Sequence, residues 1–305
     1  MKANAKEPMR NRIAYSQNFL KDKGLIAKLL KQSSITKSDT VFDIGAGQGI
    51  ITDELIKVSG KVIAFEIDNN LYYKLQQRLK TVDTVEVKQG NFLDYPLPSN
   101  PYKVFSNIPF NITSAVIKKL TETSNPPLDT YLILQKEASS KFLGKPHDTK
   151  NSQIATLLKP WFEMSIVYKF DKNDFFPKPM VDIVLVRIEK RSNPLINEAD
   201  KNLFEDFITY AYNQFQPNVV EGLSKVLSQE TMVRLAKQIG FSPHSKPSEL
   251  EAKDWLGIFD YFVNNADEKH KNIVRGSYKK LLMQQQNLQK VNRTRLDRNW
   301  KLKAK

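Results

Sequence analysis

The 305-residue chain carries 47 Lys and Arg against 33 Asp and Glu, a net charge of +14, and it contains no cysteine. The missing cysteines exclude disulfides, thiolate nucleophiles and cysteine-held zinc or iron–sulfur centres, and no apolar run reaches the length of a membrane span. The three histidines, His147, His244 and His270, lie far apart with no carboxylate at ligand spacing, so no metal is expected, and the cationic surplus points to a polyanion, nucleic acid first, or serves solubility alone.

Residues 1–12 mix Lys, Asn, Glu and Arg with no apolar stretch behind them, unlike a secretory signal, so a cytoplasmic location is expected. From 40 to about 190, short β-branched runs alternate with amphipathic stretches, the pattern of a parallel α/β sheet with crossover helices. The expected strands are 40–44, 61–66, 84–88, 103–106 and 130–135. Runs 164–170 and 182–189 have no full helix between them and read as an antiparallel hairpin at the sheet edge. A first domain over 1–190 is followed by a small all-helical domain over 191–266, with helices expected at 198–213, 219–227, 230–239 and 249–263. The last opens on Ser248 with Glu251 three positions on, a capping-box spacing, and its Trp255, Ile258, Phe259 and Phe262 repeat at helical spacing as core. The remaining 267–305 is a basic tail, disordered or helical; from 269 on it holds twelve Lys and Arg and one acid, Asp297. It lacks the apolar surface to fold alone and reads as an arm for RNA phosphates or, alternatively, as a frayed solubilising tail.

The first strand runs into Gly45-Ala46-Gly47-Gln48-Gly49. Glycines here let the backbone turn tightly and approach a ligand at the carboxyl end of the strand. The spacing is G-x-G-x-G, and Ile50 stands where the dinucleotide fingerprint G-x-G-x-x-G places its third glycine. Glu66, ending the second strand before Ile67, can accept hydrogen bonds from the ribose hydroxyls of adenosylmethionine or NAD alike. After the third strand, Asn91 can bond an adenine amine and Phe92 can cover the ring, although each also serves as a loop cap or a core residue.

The fourth strand ends in Asn107-Ile108-Pro109-Phe110. A purine amine is a poor nucleophile because its lone pair is delocalised, so a site must hold it with acceptors that rehybridise the nitrogen and aim the lone pair. The Asn107 side-chain oxygen and the Ile108 carbonyl are such acceptors, Pro109 stiffens the turn, and Phe110 would stack on the base. With an activated methyl donor, positioning carries the reaction and no formal base is required.

On these motifs, from about 15 to 262, the chain resembles the ribosomal RNA adenine-N6 methyltransferases, and most the Erm group that modifies 23S rRNA and confers macrolide, lincosamide and streptogramin B resistance. The resemblance implies S-adenosylmethionine as cofactor and rRNA as partner. It implies a Rossmann-like class I methyltransferase sheet with an antiparallel edge hairpin, plus the helical domain, in a monomer. Segment Ser16-Gln17-Asn18-Phe19-Leu20 is similar to the family's Q-[HN]-F-L, so cofactor contacts are implied at Gln17, Asn18, Leu20, Gly45, Gly47, Glu66, Ile67, Asn91, Phe92 and Asn107. Asn91 stands where the family usually has Asp, and Phe110 where it more often has Tyr. Phe175-Phe176-Pro177-Lys178-Pro179-Met180-Val181 resembles F-x-P-x-P-x-V, which implies that Phe175 covers the second face of an extruded adenine; the alternative is that Phe175 and Phe176 plug the sheet end. The catalytic set implied is thus Asn107, Ile108, Pro109, Phe110 and Phe175.

Three other readings stand beside this one. Small-subunit (16S) adenine dimethyltransferases of the same family typically show N-L-P-Y and R-R-K-T-L, where this chain has Asn107-Ile108-Pro109-Phe110 and Gln216-Pro217-Asn218-Val219-Val220, which favours 23S. A noncatalytic RNA-binding or transcription factor on this fold would not need the intact turn. An NAD-dependent oxidoreductase fails on glycine spacing and on the lack of a proton donor.

Overall fold

The computed structural model describes residues 18–144 and 152–287. Its strands are β1 (Phe19–Leu20), β2 (Thr40–Ile44), β3 (Lys61–Glu66), β4 (Val85–Gln89), β5 (Lys103–Asn107), β6 (Asp129–Gln135), β7 (Phe162–Lys169), β8 (Phe175–Phe176) and β9 (Ile183–Lys190). Seven form one sheet in the order β4-β3-β2-β5-β6-β9-β7, and β1 pairs with β8 in a separate antiparallel ribbon. Strands β2 to β6 are mutually parallel, whereas β9 runs antiparallel to both of its neighbours, β6 and the edge strand β7. This is the expected Rossmann-like sheet with its edge hairpin. Burial explains the two strand types: β6, covered on both faces, is buried from Asp129 to Leu134, while β7 alternates inward and outward residues because only one face is covered.

The helices of the sheet domain are α1 (Lys23–Lys31), which precedes β2, and the connecting helices α2 (Ile50–Val58), α3 (Asn69–Leu79), α4 (Thr113–Thr121), α5 (Lys136–Leu143) and α6 (Gln153–Leu158). Helix α1 shows how local chemistry sets them. The Asp22 carboxylate accepts the Gly24 and Leu25 N–H groups, Lys28 and Lys31 sit in the last turn, and Ile26, Leu29 and Leu30 form the buried stripe. Removing such a cap costs about 1 kcal/mol. The chain leaves β2 toward β3 and β4 on one side and returns to β5 on the other, so the strand order reverses between β2 and β5. A crevice at the carboxyl ends of the strands is expected there.

The helical unit comprises α7 (Lys201–Tyr212), α8 (Val219–Gly222), α9 (Gln229–Ile239) and α10 (Ala252–Asn265). Its core is aromatic: Phe204 meets Phe259 at 5.0 Å and Phe207 meets Phe262 at 4.7 Å between ring centroids, and Trp255 and Ile258 are buried with them. Two expectations change here. The helix expected over 219–227 stops at Gly222, although Leu223, Val226 and Leu227 stay buried. The capping box of α10 forms one turn later than expected, with Asp254 accepting the Glu251 N–H at 2.7 Å, because Pro247 closes a separate 3-10 turn first.

The unit is seated on the sheet through α6: Gln153 donates to Thr209 and the Thr156 and Tyr212 hydroxyls lie 2.8 Å apart. Part of the basic tail also takes a defined place. Residues of α11 (Glu268–Val274) and α12 (Ser277–Asn287) pack on α7, with Val274 fully buried. The Asp206 carboxylate accepts the Gly276 and Tyr278 N–H groups, and the Tyr278 hydroxyl donates to Glu122 beside the sheet. This segment borrows surface from α7, which is how a stretch too polar to fold alone becomes ordered; residues 288–305 lie outside the described residues. No described helix is long and apolar enough to cross a membrane.

Candidate active site

Strands β2 and β5 pair only at Val41–Lys103 and Phe42–Val104, then diverge. Where the ladder ends, the buried Ser106 hydroxyl takes over: it accepts the Ile44 N–H at 2.7 Å and bonds the Phe42 carbonyl at 3.3 Å. The strands can therefore splay at their carboxyl ends without orphaning a backbone donor. Into that opening comes the glycine turn. Gly45 and Gly47 have φ of 76° and 58°, and a Cβ on Gly45 would sit 3.2 Å from Pro109, one on Gly47 3.1 Å from the Phe19 ring. Only glycine lets this turn lie so close to the Asn-Ile-Pro-Phe segment.

Gly45 and Pro109 line two adjoining cavities. One, of about 620 Å³, is bounded by Asn18, Phe19, Leu20, Asp43, Gln48 and Asn107. The other, of about 730 Å³, is bounded by Glu66, Ile67, Asn91, Phe92, Leu93 and Ile112. Together they form a bent cleft with a polar arm toward the N-terminal segment and a more apolar arm past Glu66.

Two side-chain amides fix the geometry of the polar arm. Asn18 Nδ2 donates to the Pro177 carbonyl at 2.6 Å, and Asn107 Nδ2 donates to the Asn18 carbonyl at 2.8 Å. A carbonyl only accepts, so the nitrogen end of Asn107 must face Asn18. Its Oδ1 is left with no donor among the described residues. The β1–β8 pairing, Phe19 with Phe176 and Leu20 with Phe175, straps this N-terminal segment across the cleft.

Asp43 is buried; its Oδ2 accepts the Thr52 hydroxyl at 2.7 Å while its Oδ1 has no partner. Burial pushes its carboxyl up to about 7, partly offset by Thr52 and reinforced by Glu66. Glu66, also buried, accepts the Gly47 N–H on one oxygen at 2.7 Å and the Asp68 N–H on the other at 2.8 Å, so it pins the glycine turn as well as lining the cleft.

The remaining expected residues divide. Asn18, Leu20, Gly45, Glu66, Ile67, Asn91, Phe92, Asn107, Ile108, Pro109 and Phe110 all line one arm or the other. Gly47 contributes its backbone through Glu66, and Gln17 lies outside the described residues. Asn91 caps a short 3-10 turn, accepting the Leu93 N–H and donating to Asp94. Phe92 is edge-packed on Phe42 and Phe65, so only part of it borders the cleft. Phe175 corrects the expectation. It is 1% exposed and edge-packed on Phe170 at 5.3 Å, so it offers no face to a base; the exposed ring is Phe176, at 69%. Strand alternation explains the swap, since neighbours in β8 point to opposite sides and Phe175 shares its side with Leu20. Sequence reading missed Asp43, whose signal was a carboxylate inside an otherwise apolar strand, and also Asn111 and Ile112, which follow the turn and carry no pattern. Among the described residues no group of three acidic or histidine side chains could hold a metal.

The profile of the ribosomal RNA adenine dimethylase family matches residues 9–264. A ribosomal RNA small subunit methyltransferase A of Mycoplasmopsis pulmonis is 26% identical over 251 residues, covering 82% of this chain and 98% of the relative. An rRNA adenine N-6-methyltransferase of Bacteroides fragilis is 28% identical over 254 residues, covering 83% and 94%. Among solved structures, the 23S rRNA methyltransferase ErmE superposes with a TM-score of 0.73 at 25% identity, covering 81% of this chain and 100% of that one.

Proposed function

The chain belongs to the ribosomal RNA adenine dimethylase family, and from that premise we propose that it methylates the N6 amine of one adenine in 23S rRNA and thereby confers macrolide, lincosamide and streptogramin B resistance. The broader activity, S-adenosylmethionine-dependent methylation of adenine in rRNA, comes with the family.

The cleft suits this cofactor on the chain's own terms: a buried, unpartnered Asp43 oxygen faces the polar arm, and glycine Cβ positions that would collide keep the turn open. In our reading Asp43, Asn18 and Leu20 hold the methionine part, and Glu66, Ile67, Asn91 and Phe92 hold the adenosine. When bound, the cofactor supplies a methyl group activated by a sulfonium. The Asn107 Oδ1 and the Ile108 carbonyl accept the two amine hydrogens of the target adenine, Pro109 keeps them in register, and Phe110 stacks on the base. Phe176 takes the rim position first assigned to Phe175. The observation that carries the reading is the forced orientation of Asn107, whose nitrogen is occupied by the Asn18 carbonyl and whose oxygen is left for a donor.

Two features support 23S over 16S: the likeness to ErmE over 81% of this chain, and the absence of any Lys or Arg from 202 to 224, where small-subunit enzymes typically carry R-R-K-T-L. The 16S reading draws on the small-subunit relatives. Radiolabelled methyl transfer to purified 23S and 16S rRNA, with primer extension and nucleoside mass spectrometry, separates them and gives the number of methyls added. We expect label in 23S and a raised macrolide tolerance on expression in a susceptible bacterium; label confined to 16S overturns the 23S assignment. Asn107→Ala should lower single-turnover transfer about 10²- to 10³-fold, the scale of losing one preorganised hydrogen-bonding group. Full activity in that variant ends the mechanism.

A further inference from the structure

We propose that the cleft between α7 and α12 is a second RNA contact, which holds an unpaired nucleotide of the substrate away from the adenine being methylated. The proposal rests on the rRNA reading above. It is carried by a site that α12, beyond the family match ending at 264, completes.

Helix α12 runs alongside α7 in the same direction. Asp206 meets the backbone of Gly276 and Tyr278 at one end, and toward the other end Thr209, Asn213 and Gln214 share a cavity of about 1160 Å³ with Ser277, Lys280 and Gln284. At its lip stands Phe215, fully exposed at 104%. A phenyl ring held wholly in water has given up the burial that usually justifies it, and a flat apolar face beside polar groups is what a base stacks on.

The polar groups are arranged for a base edge. Asn213 Nδ2 donates to the Thr209 carbonyl at 2.7 Å and Gln214 Nε2 to the Tyr210 carbonyl at 3.0 Å. Each amide oxygen is thus left as an acceptor without a donor among the described residues, suited to an exocyclic amine or a ribose 2′-hydroxyl. Charge is the third component. The stretch 202–224 supplies no cation, so the cleft takes its positive charge from α12 and the turn before it. Arg275 is already paired with Glu268, whereas Lys280 has no ion pair among the described residues. Beyond Asn287 the sequence continues with seven Lys and Arg and one acid. An aromatic plane, edge acceptors and a phosphate partner are the three elements of single-strand recognition; a protein partner would not need the cation beside the acceptors.

The test uses the full chain with Phe215→Ala, Phe215→Trp and Lys280→Ala, and reads binding to a labelled mixed-sequence single-stranded RNA and to 23S and 16S transcripts across a salt series. Phe215→Ala should weaken binding about tenfold with the salt slope unchanged, and Phe215→Trp should restore it, because stacking tolerates a change of ring. Lys280→Ala should reduce the slope of log affinity against log salt by about one. Cofactor-induced thermal stabilisation should match wild type in all three, which confirms folding. Equal affinity of Phe215→Ala and wild type overturns the proposal, as does a loss that Phe215→Trp fails to restore. If wild type methylates rRNA and Phe215→Ala does so with unchanged KM, this cleft falls while the methylation reading stands. If Phe215→Ala loses RNA affinity but wild type labels neither rRNA, the outcome is reversed.

Discussion

The carboxyl edge of the sheet and the surface of the helical unit handle polar groups in opposite ways. At the sheet edge, Asp43, Glu66 and Ser106 are buried, and each is held by a residue outside its own strand: Asp43 by Thr52, Glu66 by Gly47 and Ser106 by Ile44. On the helical unit, Asn213 and Phe215 at the end of α7 and Lys280 on α12 are exposed, and the Asn213 amide is held only by its own helix, through the Thr209 carbonyl. Methyl transfer to a weak nucleophile requires acceptors fixed before the substrate arrives, because any reorganisation at the moment of reaction adds to the barrier. Gripping a flexible strand gains little from such rigidity, since the strand itself must be ordered on binding. Burial thus marks the chemistry in this molecule and exposure marks recognition.

The sharpest way to break that comparison lies within one dipeptide. Phe175→Ala should destabilise the fold by about 3–5 kcal/mol, the usual range for emptying a buried Phe site, with denaturant melts as the measure. A loss below about 1 kcal/mol would mean that Phe175 is free to leave the core and meet a base after all. Gly45→Ala should come next: a left-handed φ and a Pro109 contact at 3.2 Å together cost about 1–3 kcal/mol, read as weaker cofactor binding by calorimetry.

Asp43 offers a pH test. Its carboxyl is held up to about 7 in the folded chain, whereas an unfolded Asp titrates near 4, so between those values the native state keeps a proton the unfolded state has lost. Its contribution to stability is therefore greatest at the acid end, falls as pH rises from about 4 to about 7, and is level above. The fall should approach about 1.4 kcal/mol per pH unit within that window and be absent in Asp43→Asn, so the wild-type melt should lose ground to the variant between pH 5 and 7. Parallel curves for the two proteins would place the carboxyl elsewhere. The smallest effect is expected from Phe176→Ala, within about 0.5 kcal/mol in stability because the ring is already exposed, with any loss confined to KM for RNA.

Much of the catalytic half was legible in the sequence because its determinants are local. Strands of β-branched residues alternate with amphipathic helices, the glycine turn follows β2 directly, and Asn107 ends β5 with Ile108 to Phe110 following without a gap. The lack of a full helix between the last two strand runs likewise identified the edge hairpin. What escaped was whatever depends on a partner far along the chain. No pattern in Phe175-Phe176 says which ring faces inward, because that is decided by pairing with Phe19 and Leu20 more than 150 residues earlier. The same holds for the tail, which is too polar to fold by composition yet is held through Asp206 and Glu122 on two different elements.

By itself the sequence determined the fold class, the approximate positions of the main strands along the chain and the residue types that meet at the carboxyl edge, since propensity, periodicity and turn chemistry act over a few residues. Only the tertiary structure decided which end of the Asn107 amide is free, which phenylalanine is buried, and where the first turns of the basic tail rest. Those outcomes are set by the orientation of donors and acceptors brought together from opposite ends of the chain, and no local preference encodes that.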